Sequence, residues 1–115
     1  FTYIAEELKA IAKEFNVVVV CLSQLSRKCE ERPNKQPMAS DLRESGAIEQ
    51  VANTIIGLYR DSMYNDHSKS PENDKAMEWV LLKVREGSTG TVFVDYNRST
   101  GVMRNYQGIP PYAHK

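Results

Sequence analysis

The chain has 115 residues, enough for one domain with a modest core. Its 41% hydrophobic and 26% charged residues are those of an ordinary globular protein. Fifteen basic and 15 acidic residues leave a formal net charge of zero, which excludes bulk electrostatic attraction to nucleic acid; any such contact must be local. No apolar run approaches the roughly 20 residues of a membrane span, and no signal peptide is legible. Cys21 and Cys29 are not in ligand spacing, and His67 and His114 lie far apart in polar stretches. That pattern argues against a disulfide scaffold and a metal site, and favours a reducing, cytoplasmic compartment. The chain begins at Phe1 and reads as a piece of a longer protein, a single domain fragment over 1–115 with a frayed tail over 107–115.

Residues 3–15 read as a helix, because Ile4, Leu8, Ile11 and Phe15 share one face of a 3.6-residue period. Thr2 is a candidate cap and Asn16 a left-handed stop. Val17–Leu22 is continuous, apolar and β-branched, the pattern of a parallel strand buried on both faces. It ends in Ser23-Gln24, at the strand edge where open α/β sheets bind ligands. Residues 26–40 form a long polar connection in which Pro33 and Pro37 rule out a continuous helix. Asp41–Glu44 predicts a short helical turn, broken at Ser45-Gly46, and 47–52 a second short helix burying Ile48, Val51 and Ala52.

Thr54–Tyr59 is a second buried strand, and 61–76 a polar surface loop. Met77–Arg85 alternates as a third strand, with Lys83 and Arg85 projecting the same way at its end. A glycine turn over 86–90 leads to a fourth strand at 91–96, completing a hairpin. After a turn at 97–101, residues 102–106 pair back as a short edge strand. The expected class is α/β: parallel strands in the first half, an antiparallel meander in the second, a mixed sheet with flanking helices.

Three constellations carry possible chemistry. Gln24 has donors and an acceptor on a long stem, and at a strand end it can sense a phosphate or orient a water. A surface Gln is the plainer reading, and chemistry alone prefers it. Arg43, Glu44, Ser45 and Gly46 form a polar loop whose glycine lets backbone N–H groups approach an anion, as in contacts to a phosphate backbone. A solvated corner with an Arg–Glu pair is the plainer reading there, and spacing alone prefers it. Lys83 and Arg85 can reach a phosphate, and a phosphate on a neighbouring subunit would make Arg85 an arginine finger. A charged edge that discourages aggregation fits them equally well. No Gly-rich phosphate loop, magnesium-holding carboxylate or nucleophile triad is present, so the chain alone has no complete catalytic centre.

Taken as an ordered set, these segments resemble DnaB-type replicative helicases. Val17–Arg27 (VVVVCLSQLSR) is similar to that family's strand ending in a phosphate-sensing Gln, and Ser40–Gln50 (SDLRESGAIEQ) to its DNA-binding loop. Thr54–Arg60 with Asp61 matches its next strand, and Lys83–Gly90 its Lys-x-Arg-x-Gly-x-x-Gly signature. The resemblance runs from about Phe1 to Tyr96 and reverses the preferences above. It implies part of a RecA-like P-loop ATPase fold and a homohexameric motor with ATP and Mg2+ between subunits in the parent protein. Gln24 would sense the γ-phosphate in cis, while Lys83 and Arg85 would reach the ATP of the adjacent subunit. Arg43, Glu44, Ser45 and Gly46 would touch single-stranded DNA in the central channel.

Departures accompany the resemblance. The family usually has acidic residues at Val51 and Asn53, commonly a basic residue at Gln36 and an Asn at Glu86. These point to a divergent member, of a phage or mobile-element kind. The phosphate-loop strand, the magnesium-carboxylate strand and the amino-terminal domain are missing, so the fragment alone is expected to bind no cofactor. Without the phosphate-loop strand, 17–22 and 54–59 are expected to pair directly or to associate through their open edges. The alternatives are a non-catalytic fragment that binds single-stranded DNA or a helicase ring, and a related RecA-type ATPase with another task.

Overall fold

The computed structural model describes residues 2–42, 45–64 and 74–108. The described chain contains helices α1 (Thr2–Phe15) and α2 (Ser45–Val51) and strands β1 (Thr54–Tyr59), β2 (Ala76–Val84), β3 (Gly90–Tyr96) and β4 (Met103–Asn105). The strands form one sheet in the order β1-β2-β3-β4. The chain divides into two compact units, Phe1–Ile55 with Leu82–Thr89, and Ile56–Leu81 with Gly90–Lys115.

In the first unit α1 ends where Asn16 takes a positive φ of 52°, a conformation that Asn tolerates better than most residues. The described helix begins at Thr2, and its amino-terminal cap lies outside the described side chains. Its apolar stripe is only partly covered: Leu8 is half-buried, and Ile4, Ile11 and Phe15 are exposed. Val17–Leu22 corrects the sequence expectation. The run carries no strand, joins no ladder, and exposes Val18 by 89% and Leu22 by 93%. A β-branched run becomes a strand only when a neighbour takes its N–H and C=O groups. The expected direct pairing of 17–22 with 54–59 does not occur.

The connection that follows is ordered by its own polar groups. Short 3-10 turns form at Arg27–Glu31 and Ala39–Asp41, on either side of Pro33 and Pro37. An antiparallel bridge joins Leu25 to Leu42, and Ser26 N–H donates to the Asp41 carbonyl at 2.6 Å. Arg32 closes the loop on the buried Asp41. Gly46 does not break a turn, as expected from sequence, but sits inside α2. Glycine costs a helix about 1 kcal/mol and does not forbid it, so tertiary contacts decide. α2 half-buries Ile48 and Val51, with Ala52 half-buried just after it, and packs on α1.

The second unit is the antiparallel meander expected from the second half. β2 pairs with β3 from Ala76↔Asp95 to Leu81↔Gly90, and β3 with β4 from Val94↔Asn105 to Tyr96↔Met103. The β3–β4 turn closes with Gly101 at φ 76° and its N–H donating to the Asn97 carbonyl. β1 alternates strictly, burying Ile55, Gly57 and Tyr59 and exposing the residues between them, so it is buried on one face, not two. Tyr59, Ala76 and Met77 form the apolar centre, with Asp61 and Glu78 buried beside them. The Tyr59 hydroxyl donates to Asp61 Oδ1 at 3.1 Å. Arg60 lies over the Tyr96 ring, 5.4 Å from its centroid, and pairs with Asp74 at 3.6 Å. Residues 65–73 of the expected surface loop and 109–115 of the expected tail lie outside the described residues.

Candidate functional site

The polar residues singled out from sequence that the structure describes fall in the first unit. Gln24 is exposed and stands directly before the Leu25–Leu42 bridge. That bridge ties the end of the Gln24 segment to the residue preceding Arg43. Arg43 and Glu44 lie outside the described residues, and Ser45 and Gly46 open α2. Gly46 is exposed, with nothing within 4 Å of where a side chain would start.

Lys83 and Arg85 come from the end of β2 and the turn after it, as the strand period requires. Their surroundings were not legible from that period. The Lys83 ammonium donates to the Glu49 carbonyl near the carboxyl end of α2. Arg85 N–H donates to the Asn53 carbonyl at 2.9 Å, leaving the exposed guanidinium to solvent. No hydrogen bond among the described residues joins Gln24 to either of them.

The turn itself explains two positions of the signature. Glu86 takes a φ of 63°, where L residues are strained and Asn and Gly are tolerated. A side chain at Gly87 would start 2.7 Å from Val84 Cγ1, so it would fit only if the Val84 side chain moved.

Sequence reasoning missed Lys9. From α1 its ammonium donates to the Val51 carbonyl at 2.8 Å, the last residue of α2. Desolvation pulls the Lys9 ammonium below the ordinary lysine range, and the nearby cations Arg85, Lys13 and Lys83 push it the same way. A local concentration of positive charge therefore sits on a chain with no net charge. The available signal was the i, i+4 spacing of Lys9 and Lys13 on one helix side. Arg32 and Asp41 were also missed as a pair, since their separation of nine positions hides it.

The arrangement is a lysine and an arginine at a strand end, packed against the carboxyl end of a short helix. Solved structures of similar backbone include an ATPase domain and a replicative helicase. The chain superposes on a structure described as an ATPase domain with a TM-score of 0.83 and 43% identity, covering 92% of this chain and 36% of that one. It superposes equally well, with the same identity, on a DnaB-like replicative helicase described with its primase interactions, covering 25% of that chain. The fold is thus α/β, part of a RecA-like ATPase domain.

A family model described as the DnaB-like helicase C-terminal domain matches residues 1–105, and the chain belongs to that family. It is 47% identical to the replicative DNA helicase DnaC of Bacillus subtilis and 46% to the replicative DNA helicase DnaB of Geobacillus stearothermophilus. Each alignment covers 96% of this chain, which spans 25% of the length of those relatives. No helix among the described residues is long and apolar enough to cross a membrane.

Proposed function

We propose that this chain is the carboxy-terminal part of the ATPase domain of a cytoplasmic replicative helicase that moves along single-stranded DNA as a homohexamer and unwinds duplex DNA. Lys83 and Arg85 meet the phosphates of ATP held by the adjacent subunit, and Gln24 senses the γ-phosphate on its own side. Arg43, Glu44, Ser45 and Gly46 contact the phosphates of the single strand. The observation that carries this reading is the placement of Lys83 and Arg85 against α2, whose amino end continues the SDLRESG segment.

The chemistry of Lys83 and Arg85, an ammonium and a guanidinium close together at one strand end, supports a role at the phosphate end of a nucleotide. No Gly-rich phosphate loop occurs in these 115 residues. We assign that loop, and the carboxylates that would hold Mg2+, to the longer protein, and no step of this chain's chemistry runs through the metal.

The test is Arg85→Ala in the full-length protein. An arginine finger contributes about 10³-fold or more to turnover, so ATP hydrolysis should fall by at least that factor. Mixing with subunits that lack the phosphate-loop lysine but keep Arg85 should restore part of it. Full hydrolysis by Arg85→Ala alone would remove the finger assignment.

A second reading has one observation in its favour. The exposed run Val17–Leu22 suits a non-catalytic fragment that docks on a helicase subunit or binds single-stranded DNA. Co-sedimentation of the isolated chain with a helicase ring, without loss of Arg85-dependent turnover in the full-length protein, would support both roles.

A further inference from the structure

The last turn of an α-helix leaves carbonyls with no intrahelical partner, and cations are favoured there. In α2 two of these groups, the Glu49 and Val51 carbonyls, are taken up from elsewhere in the chain: Lys83 donates to Glu49 and Lys9 donates to Val51 at 2.8 Å. The helix's own ladder closes with Ala52 N–H on the Ile48 carbonyl at 2.9 Å, and just beyond it Arg85 N–H takes the Asn53 carbonyl at 2.9 Å. Lys9 comes from α1 and Lys83 from β2, so two separate elements grip one helix end.

α2 needs such a grip. It is seven residues long, and an isolated helix of that length does not persist in water. Gly46 weakens its first turn further. At about 1.5 Å per residue the helix spans roughly 10 Å, so a displacement at its carboxyl end is delivered to its amino end. That amino end carries the segment to which the proposed function gives DNA.

We infer that Lys9 and Lys83 are positioning residues: together they clamp the carboxyl end of α2 and thereby set the place of its amino end, Ser45-Gly46. The inference rests on the DNA reading of that segment. Lys83 has a second acceptor under the same reading, the neighbour's phosphate. An ammonium has several N–H donors, so a phosphate drawn to Lys83 shares or displaces its bond to Glu49. α2 then responds to the nucleotide next door, while Lys9 stays on Val51 as the pivot.

The experiment uses the full-length protein with Lys9→Met, Lys9→Arg, Lys13→Met and Arg43→Ala. Lys13→Met removes the same charge from the same helix, but Lys13 makes no hydrogen bond among the described residues. Two quantities are read: hydrogen exchange over 45–53, and affinity for a fluorescein-labelled oligothymidylate with a non-hydrolysable ATP analogue. Losing one charge-assisted hydrogen bond should weaken oligonucleotide binding about tenfold in Lys9→Met and speed exchange over 45–53. Lys9→Arg should return both towards the unsubstituted protein, and Lys13→Met should leave both within about twofold of it. Lys9→Gln, which keeps a shorter donor, replaces Lys9→Met if the latter does not assemble.

Unchanged exchange in Lys9→Met overturns the clamp. Faster exchange with unchanged DNA affinity overturns the positioning role. Equal losses in Lys9→Met and Lys13→Met reduce the effect to bulk charge and overturn it too. If Arg43→Ala binds the oligonucleotide normally, the DNA reading fails and the positioning role with it; exchange alone then decides whether the clamp itself stands.

Discussion

Arg32 holds Asp41 with both ends of its guanidinium: Nη1 is 2.6 Å from Oδ1 and Nη2 2.8 Å from Oδ2. The same carboxylate accepts the Met38 N–H at 2.7 Å, and Arg32 Nη2 also donates to the Gln36 carbonyl at 2.9 Å. Such fork geometry is the strong form of an ion pair. Here it folds the Pro-containing connection back on itself directly before the proposed DNA segment.

Asp41→Asn should therefore destabilise the protein by on the order of 2 kcal/mol, read as a shift in the denaturant midpoint. The Arg32 hydrogen bonds are the largest influence on the Asp41 carboxyl and, with the Met38 N–H, hold it below the usual carboxylate range against desolvation. A depressed acid stabilises the fold above its unfolded value of about 3.9, and that contribution disappears as pH falls through the lower folded value. The acid limb of the stability profile should flatten in Asp41→Asn; an identical limb in both proteins would contradict the pairing.

Tyr59 and Asp61 make the alkaline counterpart. Burial first, then the hydrogen bond to Asp61 and the nearby carboxylates, push the Tyr59 phenol well above its ordinary range. Asp61 has 0% exposure, so the bond is buried. Both states are protonated below about pH 10; above it the unfolded state loses its proton first, and stability falls as pH rises. Tyr59→Phe should cost about 1 kcal/mol at neutral pH and reduce the alkaline loss. An alkaline limb as steep as before would show that another group carries it.

Glu86 is held at φ 63°, in the left-handed region. Replacing it with Gly should stabilise the turn by about 1 kcal/mol, and with Asn by a smaller amount. A thermal midpoint lowered by Glu86→Gly would mean that the Glu side chain contributes more than the backbone strain removes.

Val18 and Leu22 lie open to solvent at 89% and 93% exposure. The isolated chain should self-associate through this run, and Val18→Lys with Leu22→Lys should make it monomeric by sedimentation. In the full-length protein, with neighbouring strands supplied, the same pair should cost more than about 3 kcal/mol. An unsubstituted chain that stays monomeric at high concentration would argue against the first expectation.

Legibility differed sharply between the halves of the chain. α1, the existence of β1 and the β2–β3–β4 meander follow from local period and turn chemistry: Asn16 stops the helix and Gly101 closes the last turn, whereas the one-sided burial of β1 did not follow from its apolar run. Val17–Leu22 did not follow, because β propensity describes a residue that has neighbours. α2 began two residues earlier than the glycine suggested, since contacts from α1 and β2 outweigh one weak helix former.

The candidate site divides along the same line. The ordered segments SDLRESG and Lys-x-Arg-x-Gly-x-x-Gly, with Gln24 after its apolar run, were enough to determine the family, because motif order is written in the chain itself. That Lys83 rests on Glu49, that Lys9 joins it from α1, and that Arg32 closes on Asp41 were decided only by the tertiary structure. Each of these bonds ends on a backbone carbonyl or a distant carboxylate, and no local pattern says which lysine will reach which orphaned acceptor. Side-chain identity fixes what a residue can donate; the packing of α1, α2 and β2 fixes where the donor lands.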